Sequence, residues 1–285
     1  MRPPFLLLLL FPIVITAQTR LHANLFGGFA NYYGDLQDKS LTLDQSNGAL
    51  GVGLKYDITD HLAVRTGFLY GKIAGDDKRN KASLQFRNLN FQTKIFEWNV
   101  LVEYSFFDLN DRKFSPYVFG GLALFHFNPF TYDSLGNKFY LRPLSTEGEG
   151  LSQYPDRHPY KLTQFALPLG FGLKFRVTDN VVLSYELGFR KTFTDYLDDI
   201  SKTYVDESTL LNAKGPKAVE LAYRAGELKN GDPNYPADGT KRGGQKFKDW
   251  YYFSGVTISI GLNTGGKSFF NHKGKSSVNC PVRVQ

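Results

Sequence analysis

The sequence predicts an all-β chain: a single antiparallel transmembrane β-barrel of about eight strands, with short turns at one end and long loops at the other. Three observations carry this. After residue 20, apolar and polar side chains alternate through successive stretches, each about the ten residues that a tilted strand needs to cross a bilayer. The connections are short and long in turn. The composition is 15% aromatic, with 28 glycines and one methionine, which suits a barrel with aromatic girdles and not a soluble helical protein.

The first strand is expected over Leu25–Gly34, with Phe26, Gly28, Ala30 and Tyr32 opposite Gly27, Phe29, Asn31 and Tyr33. The second sets Leu50, Val52, Leu54, Tyr56 and Ile58 against Gly51, Gly53, Lys55 and Asp57. After a tight turn at Thr59–His61, the third points Leu62, Val64, Phe68 and Tyr70 outward and Ala63, Arg65, Gly67 and Gly71 inward. The fourth is the plainest: Phe96, Trp98, Val100, Val102, Tyr104 and Phe106 on one face, Glu97, Asn99, Leu101, Glu103 and Ser105 on the other. The fifth is expected to turn Val118, Gly120, Leu122, Leu124 and His126 inward, opposite Tyr117, Phe119, Phe125 and Phe127. The sixth has Phe165, Leu169, Phe171, Leu173 and Phe175 against Gly170, Gly172, Lys174 and Arg176. The seventh sets Leu183, Tyr185 and Leu187 against Ser184, Glu186, Gly188 and Arg190, and the eighth Val256, Ile258 and Ile260 against Gly255, Thr257 and Ser259.

Turns near 59–61, 107–115 and 178–180 then share one side, expected to be periplasmic, with long extracellular loops opposite. Three segments follow. Residues 1–17 read as a signal peptide, with Arg2 before an apolar run and Ala17 before a cut at Gln18. Residues 18–262 form the barrel, and residues 263–285 a basic periplasmic tail. The single cysteine, Cys280, precludes an intramolecular disulfide. A secreted lipocalin-like barrel would have an apolar lumen and a polar exterior, the reverse of this pattern.

Lys55, Arg65, Glu97, Glu103, Lys174, Arg176, Glu186 and Arg190 all fall on inner faces and carry both signs. An eight-stranded barrel is just wide enough for its side chains to fill, so these are expected to pair as a lumen charge network and not to line a diffusion channel. The net charge of +7 is scattered through loops and tail, without a recognition helix or an RNA-binding module, so no nucleic-acid partner is expected. The five histidines are dispersed and no hydrolase motif occurs. His126 is expected to pack in the lumen or under a loop. No enzyme activity, cofactor or small-molecule substrate is predicted. Asp195, Asp198, Asp199 and Asp206 are candidate Ca²⁺ ligands, because Ca²⁺ takes several carboxylate oxygens; a hydrogen-bonded loop accounts for them equally well.

Several segments together resemble one family. They include Tyr33-Gly34-Asp35, Asn128-Pro129, Glu147-Gly148 and the run from Arg190 through Asp195-Tyr196-Leu197-Asp198-Asp199. These are similar to the small outer-membrane β-barrels of Bacteroidota that include PorG, a component of the type IX protein secretion system. The resemblance implies residence in the cell outer membrane, among its lipids, and contact with a periplasmic ring lipoprotein and its partner, as PorK and PorN. The implied role is non-enzymatic: anchoring that ring to the membrane. The alternative is a surface-binding or adhesive barrel acting through loops near Asn128–Tyr160 and Thr194–Lys248.

Overall fold

Eight long strands pair edge to edge until the last returns to the first. The computed structural model describes residues 20–37, 39, 42, 44–244 and 248–262. The expected signal peptide at 1–17 and the tail at 263–285 lie outside the described residues. The strands are β1 (Leu21–Tyr33), β2 (Asn47–Asp57), β3 (Leu62–Asp76), β4 (Asn90–Ser105), β5 (Phe114–His126), β6 (Phe130–Tyr132), β7 (Lys138–Tyr140), β8 (Thr163–Thr178), β9 (Val181–Thr192) and β10 (Trp250–Gly261). Around the barrel the order is β1-β2-β3-β4-β5-β8-β9-β10, and β10 pairs antiparallel with β1 from His22↔Gly261 to Tyr33↔Trp250. Closure leaves no unpaired edge, which is the condition for a sheet to sit in hydrocarbon.

The exterior follows from alternation. Leu50, Val52, Phe68, Trp98, Val102, Leu122, Leu169, Phe171 and Tyr185 are all exposed. A continuous apolar band of this kind is stable against lipid and not against water. The strands extend farther than the sequence pattern suggested at the long-loop end, where β3 runs to Asp76 and β4 starts at Asn90.

One strand is inverted relative to expectation. In β5, Tyr117, Phe119 and Phe125 are buried in the lumen, while Val118, Leu122 and His126 face out. The cause lies across the sheet. A Cβ on Gly170 would come 2.3 Å from Phe119, and one on Gly172 would come 2.6 Å from Tyr117. Inward glycines on β8 thus leave the space that the β5 aromatics fill. His126 accordingly sits outside, its Nδ1 2.9 Å from Thr163 Oγ1, and not in the lumen or under a loop.

At the long-loop end, the β6–β7 hairpin and two helices, α1 (Glu207–Lys214) and α2 (Pro216–Ala222), fold over the mouth. Their packing is hydrophobic. Leu151, Val205, Leu210, Ala218 and Ala222 form a small core of their own, beside a larger one that runs from the barrel mouth into the loops through Tyr32, Phe91, Phe127, Leu197 and Tyr251.

Candidate functional site

Two regions concentrate polar chemistry: the lumen and the cap over its mouth. In the lumen, Arg65 Nη1 meets Glu186 at 2.7 Å and Glu103 at 3.7 Å, and Lys174 Nζ pairs with Glu103. Higher up, Arg190 Nε lies 3.1 Å from Glu97, which also accepts from Asn99 (2.8 Å) and the Tyr251 hydroxyl (2.8 Å). Toward the short-turn end, Lys55 pairs with Asp57 at 3.1 Å, and His22 Nε2 lies 2.7 Å from the same carboxylate. Four cations therefore face four carboxylates in a tightly filled interior, where an unpaired charge would be costly. A cavity of about 40 Å³ beside Arg65, Asn99, Glu186 and Arg190 has room for water but not for a solute path.

Seven of the eight expected lumen charges are in this network; Arg176 is not. It lies at the short-turn rim, 3.8 Å from the fully exposed Asp179 and with Nη2 donating to the Asn110 carbonyl. A register irregularity between Arg176 and Thr178 marks the end of regular pairing there. Sequence reasoning missed His22 and left Asp57 out of the network. Their signal was the β1–β2 register, which sets His22 opposite Lys55.

The cap assembles the motif residues, which lie far apart in sequence. The Tyr32 hydroxyl donates to Asp198 (2.6 Å) and Asp249 (3.2 Å). A Cβ at Gly34 would stand 2.1 Å from both that hydroxyl and Asp249, so this convergence demands glycine. Tyr33 is half-buried opposite Trp250, and Asp35 accepts from the Gly244 N–H at 2.9 Å. The Asn128 N–H donates to Thr93 Oγ1 at 2.9 Å, and the Pro129 carbonyl accepts from Leu141 N–H, which turns the chain into the hairpin. Glu147 accepts from the N–H groups of Ser201 (3.0 Å) and Lys202 (2.8 Å) and from Arg242 (3.1 Å). Gly148 has φ +78°, and a Cβ there would come 2.8 Å from Val205. Asp199, itself at φ 66°, accepts from Thr146 and Tyr160 hydroxyls, both at 2.6 Å, and Tyr160 stacks on Tyr196 at 4.8 Å.

These contacts place the four candidate Ca²⁺ ligands in a hydrogen-bonded loop. Asp195 accepts from Ser201 Oγ, Asp198 from Tyr32 and the Ile200 N–H, Asp199 from Thr146 and Tyr160, and Asp206 caps α1 through the Thr209 N–H. Each has at least one donor of its own, and Asp195 uses only Oδ2. Among the described residues, no group of three or more His, Cys, Asp or Glu side chains is placed to hold a metal ion.

Charge compensation in the cap is incomplete. Among the described residues, eight buried carboxylates (Asp77, Asp133, Glu147, Glu149, Asp195, Asp198, Asp199 and Asp249) share it with three buried arginines, Arg87, Arg224 and Arg242, and with Lys217, which pairs with Asp133 at 3.2 Å. Burial, then the Asp199 and Glu147 charges, pushes Glu149 up to about 8. Burial likewise raises Asp195 and Asp199 to about 6. Asp198 and Asp249 are raised well above the carboxylate range, by burial first and then by neighbouring carboxylates.

The profile of the family described as a domain of unknown function, DUF6089, matches residues 3–212. The chain belongs to this family. The DUF6089 match takes in the motif run through Asp206 and ends within α1. None of the curated proteins matches the chain. Among solved structures, the Neisserial surface protein A is 10% identical, covering 85% of this chain and 97% of its own, with a TM-score of 0.41. A major outer membrane protein from Thermus thermophilus is 13% identical over 84% and 98%, at 0.39. The attachment invasion locus protein of Yersinia pestis, in complex with the heparin analogue sucrose octasulfate, is 10% identical over 85% and 98%, at 0.38. These scores are low, so the barrel assignment rests on the strand pairing itself.

Proposed function

We propose that this chain is a non-enzymatic outer-membrane protein that anchors or aligns a periplasmic secretion assembly against the membrane. The observation that carries the non-conducting, structural reading is the double closure. The lumen is filled by paired charges, and its mouth is covered by a packed, hydrogen-bonded cap, so that outer surfaces and not a pore are left to do the work. The apolar exterior band supports membrane residence. The type IX reading, with a PorK-like lipoprotein and a PorN-like partner docking on the short-turn face, rests on the motif resemblance. Purification of the full chain from native membranes in mild detergent, with mass spectrometry of what co-elutes, tests it. Stoichiometric ring lipoproteins are expected; a barrel recovered without them overturns the secretion role.

A specific observation favours a second reading, a surface-binding barrel. The long connections do not trail into solvent but fold with their own small core around Leu151, Val205 and Leu210, which gives a stable surface for recognition. Deleting the β6–β7 hairpin should then abolish a surface-binding phenotype while the barrel still inserts.

A further inference from the structure

A groove of about 480 Å³ opens on the side of the barrel at the long-loop rim, above the ends of β8 and β9. Its lower edge is Phe165 and Phe193, exposed at 63% and 58% and continuous with the lipid-facing band. Its charged lining residues are Lys161, Lys248 and Asp195; both lysines are exposed. The stacked Tyr160 and Tyr196 rings form part of the wall. Asp195 is 2% exposed, and its Oδ1 has no hydrogen-bond partner, although Oδ2 accepts from Ser201. A buried acceptor left unpaired is costly, and Asp195 is one of the residues that line the groove.

We infer that this groove binds the headgroup of a phosphorylated glycolipid in the surrounding leaflet. Each part of the lining fits one part of such a molecule. The two lysines match a phosphate, as charge-assisted donors. The aromatic wall and the free Asp195 oxygen match the face and a hydroxyl or amine of a sugar ring. The two phenylalanines receive the first methylenes of an acyl chain. The volume suits one or two sugar rings. A plain phospholipid offers the phosphate but no donor for Asp195 Oδ1, which makes the preference one for the glycolipid.

The inference rests on the outer-membrane reading, and the test separates the two. Cell fractionation reads the compartment alone. Binding is read in vitro on the full chain, reconstituted in phosphatidylcholine nanodiscs doped with equal fractions of bis-phosphorylated lipid A or phosphatidylglycerol. The readout is native mass spectrometry of the lipid retained after mild-detergent extraction. Wild type is expected to retain lipid A in preference to phosphatidylglycerol. K161E/K248E should lower that retention about tenfold, with K161Q/K248Q as the milder check and K138E, on the remote hairpin, unchanged. Asp195→Ala should reduce lipid A retention while leaving phosphatidylglycerol as it was. Equal retention of the two lipids by wild type, full retention by the double-lysine variants, or complete displacement by inorganic phosphate each overturns the proposal. Normal binding with a protein fractionating elsewhere in the cell would overturn the compartment and keep the site.

Discussion

The lumen and the cap of this barrel both bury many charged groups, yet they solve the cost in opposite ways. In the lumen each carboxylate meets a cation: Glu186 with Arg65, Glu103 with Lys174, Glu97 with Arg190, Asp57 with Lys55. In the cap Asp77, Asp133 and Glu147 also meet cations, but carboxylates outnumber arginines and the rest are held largely by hydroxyls and backbone N–H groups, as Asp198 is by Tyr32 and Asp199 by Thr146 and Tyr160. Paired charge is insensitive to moderate pH change. Carboxylates held by neutral donors beside other carboxylates keep their protons longer, and their stability follows pH. The barrel wall is therefore built to be constant and its cover to be responsive.

The sharpest way to break the comparison is to unpair the lumen. Arg190→Met leaves Glu97 buried without its cation and should destabilise the whole barrel by about 3–5 kcal/mol. Urea titration followed by Trp98 and Trp250 fluorescence measures it, and Glu97→Gln in the same chain should restore part of the loss. The corresponding cut in the cap should stay local. Glu147→Ala removes the acceptor of two N–H groups and of Arg242, and should open the segment around Ser201 by about 2 kcal/mol with the barrel midpoint unmoved. Hydrogen exchange on the two regions separates the results.

Glu149, Asp195 and Asp199 have folded-state values near 8, 6 and 6, above the roughly 4 of an unfolded carboxylate. The folded cap then holds protons that the open cap releases. Its stability is full below about pH 4 and falls as pH rises toward 8. Amide exchange in the cap, corrected for intrinsic rates, should quicken from pH 5 to pH 9, while the strand amides of β4 and β9 should not respond. The smallest effect belongs to Arg176→Ala. That exposed rim pair with Asp179 should cost under about 1 kcal/mol, against the several lost at Arg190.

Much of the wall was legible in the sequence, because alternation with a period of two is a direct image of a two-faced sheet. Lys55, Arg65, Glu103 and Arg190 were placed inside by parity alone. Parity failed in β5, where both faces are apolar. The deciding information lay in Gly170 and Gly172 on the neighbouring strand, which only pairing brings opposite Phe119 and Tyr117. The cap was visible as motifs but not as a structure. Tyr32 and Asp249 are 217 positions apart, and nothing in either segment announces that they share a hydrogen bond. The same separation hid the distant donors of this run: Asp198 is met by Tyr32 and Asp199 by Thr146 and Tyr160, while Asp195 takes Ser201 from its own segment.

The central claim, that paired charge seals the lumen, is tested most directly by conductance. The purified full chain in a planar bilayer at neutral pH should show no steady current steps, and raising the pH to loosen the cap should leave the bilayer silent. Stable unitary conductance in either condition would contradict the account.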